Sequence, residues 1–393
     1  MSGRTISVDV IRVPTKGPGD VSGLMALIEA GTVDPSTILA VLGKTEGNGG
    51  VNDFTREYAL AALCEALSPH LKLAARAVED KIAFVMSGGT EGVLSPHVTV
   101  FTRSINGAAV FSDRPARAES KAAGKRLSIG IAHTRDFLPE ELGRQAQIEE
   151  TVKAVHLAMS DAGIDDPHDV HFVQIKCPLL TSERIEAALH RGHSTVTTGA
   201  YASMGYSRGA SALGVAMALG ELKDAVREDQ VLKDWHLYSS VASSSAGIEL
   251  MHNVIIVMGN SASSLSPFVI GHAVMRDSID LAAVVEALGS VGLGTEAARS
   301  NDRLVNIFAK AEASPDGCVR GFRHTMLDDS DVGSTRHARA AVGGLVAGLS
   351  GTGAVYVSGG AEHQGPPGGG PVAVIARINA TRARRRRRAF NLE

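Results

Sequence analysis

The stretch Ser245-Ala246-Gly247-Ile248-Glu249 decides the reading of this chain, because the same Ser-x-Gly-x-Glu spacing returns at Ser87-Gly88-Gly89-Thr90-Glu91 and at Ser358-Gly359-Gly360-Ala361-Glu362. Each copy follows a short apolar run: Ile82 to Met86 before the first, Tyr238 to Val241 with a serine lead-in before the second, and Val355 to Val357 before the third. Runs of this kind predict buried strands. Each serine then stands where a strand ends and the backbone turns through glycine, which exposes the hydroxyl and leaves peptide N–H groups free. Upstream of each serine a lysine closes another apolar run, at Ile38 to Lys44, Phe172 to Lys176 and Val305 to Lys310. Between lysine and serine lies the start of a small-residue-rich helix carrying an arginine: Thr55-Arg56-Glu57, Ser207-Arg208-Gly209 and Thr335-Arg336-His337. The order Lys, Arg, Ser holds three times, so the chain is a triplication with a period of roughly 130 residues.

The 393 residues, 44% of them hydrophobic, suffice for three compact α/β units. The spacing places unit one at 1–104, a small, polar and charged linker at 105–125, unit two at 126–251, unit three at 252–380 and an Arg-rich tail at 381–393. Helices are expected over Asn52 to Leu67, Ser207 to Leu222 and Arg336 to Leu349. A net charge of −3 gives no support to a nucleic-acid partner, and the tail from Arg382 to Arg388 reads as a solvated charge run. No apolar run approaches the ~18 residues that span a bilayer. Three cysteines without CxxC spacing point to a reducing compartment, hence a cytoplasmic protein, with Cys177 a small buried residue. Gly43-Lys44-Thr45 lacks the upstream glycine of a phosphate loop, since Ile38 stands there. The histidines have no zinc-site spacing, and His133 and His272 read as packing.

Serine, lysine and arginine together suit acyl transfer. A serine hydroxyl becomes nucleophilic when a base takes its proton, and a lysine serves if burial or nearby cations make its amine neutral. An arginine donates a bidentate pair of hydrogen bonds to a carbonyl or oxyanion, and the N–H groups of Gly88, Ala246 and Gly359 offer an oxyanion hole. Three such sets around one axis fit a planar ring whose three C=O groups alternate with three N–H groups. The flanks single out one set: Glu46 follows Lys44 and Glu312 follows Lys310, whereas Lys176 is followed by Cys177 and Pro178. A nearby carboxylate keeps an ammonium charged, so Lys176 is expected to be the neutral base and Ser245 the nucleophile.

These triplicated sets, with Gly43-Lys44-Thr45-Glu46-Gly47-Asn48-Gly49, Ser243-Ser244-Ser245-Ala246-Gly247 and the run from Ser358 to Pro366, resemble the cyanuric acid hydrolase and barbiturase family of cyclic amide hydrolases over nearly the whole chain up to Ile378. The resemblance implies three units, each a sheet with helices on one side, in pseudo-threefold symmetry around a central active site, in a homotetramer. It implies ring-opening of cyanuric acid to carboxybiuret, which loses carbon dioxide to give biuret, with Lys176 and Ser245 catalytic. Arg56, Arg208, Arg336, Lys44, Lys310, Ser87, Gly88, Ala246, Ser358 and Gly359 would then hold the substrate. No organic cofactor is expected. A structural Mg2+ or Ca2+ is implied, held by Glu312 and by oxygens of Ala361, Gln364, Gly365, Pro366 and Gly369. Two other functions stay open: a barbiturase, distinguished at the pocket edge near Val332, Gly333 and Ser334, and a non-enzymatic scaffold for a carbonyl-rich metabolite with all three lysines charged.

Overall fold

The computed structural model describes residues 4–105, 124–300 and 303–378, so most of the linker and the Arg-rich tail lie outside the described residues. The first unit consists of β1 (Ile6–Pro14), α1 (Ser22–Glu29), β2 (Ile38–Thr45), α2 (Thr55–Leu71), α3 (Ala75–Lys81), β3 (Ala83–Gly88) and β4 (His97–Ile105). The second consists of β5 (Arg126–His133), α4 (Gln145–Ala162), β6 (Val170–Pro178), α5 (Ser182–His190), α6 (Ala200–Ala218), β7 (Ala242–Gly247) and β8 (Val254–Ser261). The third runs through β9 (Phe268–Met275), α7 (Leu281–Ser290), α8 (Thr295–Ser300), β10 (Leu304–Ala311), the short strands β11 (Cys318–Val319) and β12 (Phe322–Arg323), α9 (Ser334–Ser350), β13 (Tyr356–Gly359) and β14 (Gly370–Arg377). The three main sheets have one topology, β1-β4-β2-β3, β5-β8-β6-β7 and β9-β14-β10-β13. In each, the second and third strands of the unit run parallel and the other pairings are antiparallel.

Strand pairing corrects two sequence boundaries. β8 pairs with β5 along its length, from Arg126 opposite Ser261 to His133 opposite Val254, so the second unit ends after 261 and the third begins near 268, not at 252. The strand that delivers Ser245 is β7, not the apolar run Tyr238 to Val241. Its sequence Ala-Ser-Ser-Ser-Ala-Gly has little strand propensity; the ladder to β6 holds it, and all six residues are buried. Helix α6 likewise starts at Ala200, about two turns before Ser207, which puts Arg208 in mid-helix and not in the first turn.

Each sheet turns one face inward and covers the other with its own helices. The outer cores are separate: Leu24, Leu63, Leu67 and Val78 in the first unit, Val155, Met159, Val215 and Val257 in the second, and Val284, Leu288, Val342 and Val346 in the third. The inner faces share one core, built from Val8 and Phe101, Leu127 and Phe172, and Phe268, Phe308 and Tyr356. Phe308 sits between the units, with its ring 6.3 Å from Phe101 and 5.5 Å from Phe172 between centroids. A shared apolar centre of this kind leaves the units no independent core on their inner faces and fixes how their strand ends meet. His272 meets His171 across the boundary of the second and third units, Nδ1 to Nδ1 at 2.9 Å, and burial pushes it down to about 4.

Candidate active site

The parallel strand pairs set lysine beside serine three times: Lys44 opposite Ser87, Lys176 opposite Ser245 and Lys310 opposite Ser358. All six side chains are buried, the lysines almost completely. Lys44 Nζ donates to Ser87 Oγ at 3.1 Å and to Gly88 O at 3.2 Å. Lys310 Nζ reaches Ser358 Oγ at 3.2 Å, Gly359 O at 2.9 Å and Ser244 O at 2.6 Å. Lys176 Nζ instead pairs with Glu249 Oε1 at 2.8 Å and donates to Met86 O at 3.2 Å. The Ser245 and Ser358 hydroxyls lie 3.1 Å apart.

These contacts close a ring. Lys176 of the second unit reaches the first, Lys310 of the third reaches the second, and Lys44 of the first lies over the Tyr356 ring of the third, 5.7 Å from its centroid. The arginines run the other way round: Arg56 Nη1 donates to Ala246 O at 3.0 Å, Arg208 clamps Glu362 at 2.6 and 2.8 Å, and Arg339 clamps Glu91 at 2.6 and 2.9 Å. The third member of the arginine set is therefore Arg339, not Arg336. Arg339 is one helical turn further along α9 and its side chain is 4% exposed, whereas Arg336 is 43% exposed and touches Glu91 with Nε alone, at 3.1 Å. The sequence alignment of Thr-Arg with Ser-Arg hid this, because Arg208 itself lies deeper in its helix than the motif suggested. Arg339→Ala is expected to lower kcat/KM by about 100-fold or more, by freeing a half-buried Glu91 and losing a bidentate donor, and Arg336→Ala by less than about tenfold. Steady-state kinetics of the two variants check this order.

The charges overturn the flanking-residue argument for Lys176. Glu46 is exposed and makes no ion pair with Lys44 among the described residues. Glu312 takes hydrogen bonds from Ala313 N and Thr335 Oγ1. The lysine with a carboxylate partner is Lys176, and the partner is the glutamate of its own unit's Ser-x-Gly-x-Glu motif, far along the chain but close through the strand pairing. Burial lowers all three lysines, Lys44 well below its ordinary value and Lys310 to about 7. Burial also leads for Lys176, with Glu249 opposing it and Arg56 adding to it.

The middle unit thus departs from the other two. Glu91 and Glu362 sit on arginines, while Glu249 sits on its lysine. The turns differ as well: Gly89 and Gly360 have φ of +112° and +75°, but Gly247 continues β7. A Cβ on Gly247 would stand 2.1 Å from Glu249 Oε2 and 2.5 Å from Lys176 Cε, so a side chain there would displace the ends of both. A cavity of about 500 Å³ opens over the ring, lined by Asn48 to Asn52, Arg208, Gly333, Arg336, Arg339, Gly359 and Gly360. A second cavity of about 450 Å³ lies between the first and second units and is lined by Arg56, Met86 and Glu249.

Comparison with known proteins decides the family. The sequence pattern described as "Amidohydrolase ring-opening protein" matches residues 9–377. The chain belongs to the ring-opening amidohydrolase family. It is 71% identical over 377 residues to the cyanuric acid amidohydrolase of Bradyrhizobium diazoefficiens, covering 96% of this chain and 100% of that one. It is 60% identical to the cyanuric acid amidohydrolase of Pseudomonas sp. strain ADP, covering 94% and 99%. A solved structure described as "Cyanuric acid hydrolase: evolutionary innovation by structural concatenation" superposes with a TM-score of 0.88 at 58% identity, over 95% of this chain and all of that one. This ring-opening amidohydrolase is an enzyme acting on cyclic amides, built from three similar units.

Proposed function

We propose that the chain opens the ring of cyanuric acid to carboxybiuret, which loses carbon dioxide to give biuret, with Ser245 as nucleophile and Lys176 as its proton-transfer partner. The observation that carries this is the threefold recurrence of a Lys–Ser pair on adjoining strands, closed into a ring with two of the hydroxyls in contact. Cyanuric acid presents three equal edges to such a ring, and the relatives carry that activity in their names.

In the proposed reaction the Lys176 amine takes the Ser245 proton as Oγ bonds to a ring carbonyl carbon. The oxyanion is met by peptide N–H groups at the strand ends and by the arginines. The ring C–N bond breaks, the proton passes from Lys176 to the departing nitrogen, and an open-chain acyl-serine remains. Water, activated by the same amine, cleaves the ester and restores Ser245. Ser87, Ser358, Lys44, Lys310 and the arginines hold the two edges that do not react. A second reading rests on the hydrogen-bonded chain Ser245–Ser358–Lys310, through which Lys310 takes the proton in place of Lys176.

The proposal retains a structural Mg2+ or Ca2+. Among the described residues no three His, Cys, Asp or Glu side chains form a metal group, so such an ion would rest on Glu312 and carbonyl oxygens. Glu312 fits, because burial and the neighbouring Glu362 push its carboxyl up, a strain that a cation relieves. The Gln364 side chain does not: its Oε1 accepts from Ser244 N at 2.7 Å and its Nε2 donates to Gly360 O and Glu362 O, which leaves its backbone carbonyl as the donor. Its role would be to brace the loop 361–369 beside Ser358. Homotetramer assembly and a cytoplasmic location belong to the same proposal.

Turnover of cyanuric acid and barbituric acid, measured side by side by ultraviolet absorbance, tests the substrate. Cyanuric acid is expected to be consumed and barbituric acid, which lacks one ring N–H, to be turned over at least about 100-fold more slowly, since a site built to pair with a polar group rejects the analogue without it. Preferential loss of barbituric acid would overturn the assignment.

A further inference from the structure

We infer that Glu249 is a positioning residue that governs Lys176: it alternates between Lys176 and Arg56, and substrate binding favours the Arg56 position, which leaves the amine free to take the Ser245 proton. This rests on the reading of Ser245 and Lys176 given above. The two counterparts of Glu249 show where it goes. Glu91 and Glu362 each sit on the arginine that reaches over from the neighbouring unit, and in those units the lysine hydrogen-bonds its serine. Only in the middle unit does the glutamate hold the lysine, and there the corresponding arginine, Arg56, donates to the backbone oxygens of Gly50 and Ala246, with Asp53 Oδ2 3.7 Å from its Nε.

Space for the movement exists, since Arg56 and Glu249 line the same cavity of about 450 Å³. Gly247 leaves both groups their present places, because a Cβ there would press on Glu249 Oε2 and Lys176 Cε. A substrate with three equal edges makes its best contacts with a ring whose three lysines and three serines are alike, so binding selects the arrangement in which Glu249 copies Glu91 and Glu362.

Lys176 faces Glu249, Arg56 and Cys177, and Glu249 faces Lys176, Arg56, Glu79 and Arg184. Arg56 also has Asp53 Oδ2 3.7 Å from its Nε, and Glu57, Asp80, His133, Asp136 and His252 line the cavity it shares with Glu249. Of those facing Lys176, Glu249 is the nearest carboxylate and favours the ammonium. Removing its charge lowers the pH at which Lys176 becomes neutral, so the ascending limb of the rate profile moves to lower pH.

The test is the pH profile of kcat and kcat/KM for cyanuric acid with Glu249→Gln and Glu249→Asp beside the wild type. Glu249→Gln is expected to move the ascending limb of kcat/KM, which reports the free enzyme, down by about 1 pH unit or more and that of kcat, which reports the liganded enzyme, by less, and Glu249→Asp, which keeps the charge, to move both less. The substrate's own ionisation is common to all three and cancels in the comparison. A crystal structure of Ser245→Ala with cyanuric acid bound is expected to show Glu249 on Arg56, and this readout stands even if Glu249→Gln fails to fold. A kcat/KM profile of Glu249→Gln superimposable on the wild type, or Glu249 still on Lys176 in the liganded crystal, would overturn the inference. Undiminished turnover by Ser245→Ala or Lys176→Met would overturn the underlying reading instead.

Discussion

Ser245→Ala is expected to lower kcat for cyanuric acid by about ten-thousand-fold or more while leaving substrate affinity within about tenfold of the wild type. Removing the nucleophile removes the covalent route, and the two other serines do not replace it. Ser358 is 1% exposed and Ser87 6%, and each is bonded to its own lysine amine, whereas Ser245 is 8% exposed and free of such a bond. Ser87→Ala and Ser358→Ala are therefore expected to act mainly on KM, with kcat falling less than about 100-fold. Single-turnover kinetics with equilibrium binding of cyanuric acid to each variant separates the two patterns. Equal losses of kcat in all three would mean that the serines act as one unit.

Lys176→Met is expected to cost about a thousand-fold or more in kcat and to abolish the ascending limb of the pH profile. The sign follows from the direction of the shift. Burial depresses Lys176 below the ordinary lysine value of about 10.4, so the reactive neutral form accumulates as pH rises through that depressed value. Activity should rise with pH there and be lost as pH falls below it. If Lys310 acts through Ser358, Lys310→Met removes the limb and Lys176→Met leaves it in place. The pair of variants, read over the same pH range, decides between the two lysines.

The triplication was legible because the Ser-x-Gly-x-Glu motif and the closing lysines are short, local patterns, and the sheets reproduce them in register at Lys44–Ser87, Lys176–Ser245 and Lys310–Ser358. What the sequence concealed is carried by pairing over long distances. Strand β7 has no apolar run to announce it and exists through its ladder to β6. Strand β8 looked like the opening of the third unit because adjacency in sequence says nothing of which sheet edge a strand joins. Arg336 and Arg339, a turn apart, share a helix face, and only the neighbouring unit's Glu91 tells them apart.

Glu249 is the most instructive case. The flanking residues of Lys44 and Lys310 drew attention to carboxylates two positions away, yet extended chain and turn geometry carry Glu46 out to solvent. The carboxylate that matters stood in the very motif that revealed the triplication. Glu249 differs from Glu91 and Glu362 through contacts that no local pattern carries, at Gly247 and in the way Arg56 is held.

The central claim, attack by Ser245 on a ring carbonyl, is tested most directly by quenching the enzyme in acid during turnover of cyanuric acid and measuring the mass of its peptides. The account predicts that the peptide containing Ser245 gains the mass of one whole cyanuric acid, as an open-chain acyl-serine, and that the adduct vanishes in Ser245→Ala. An adduct on the peptide containing Ser87 or Ser358, with that of Ser245 unmodified, would contradict it.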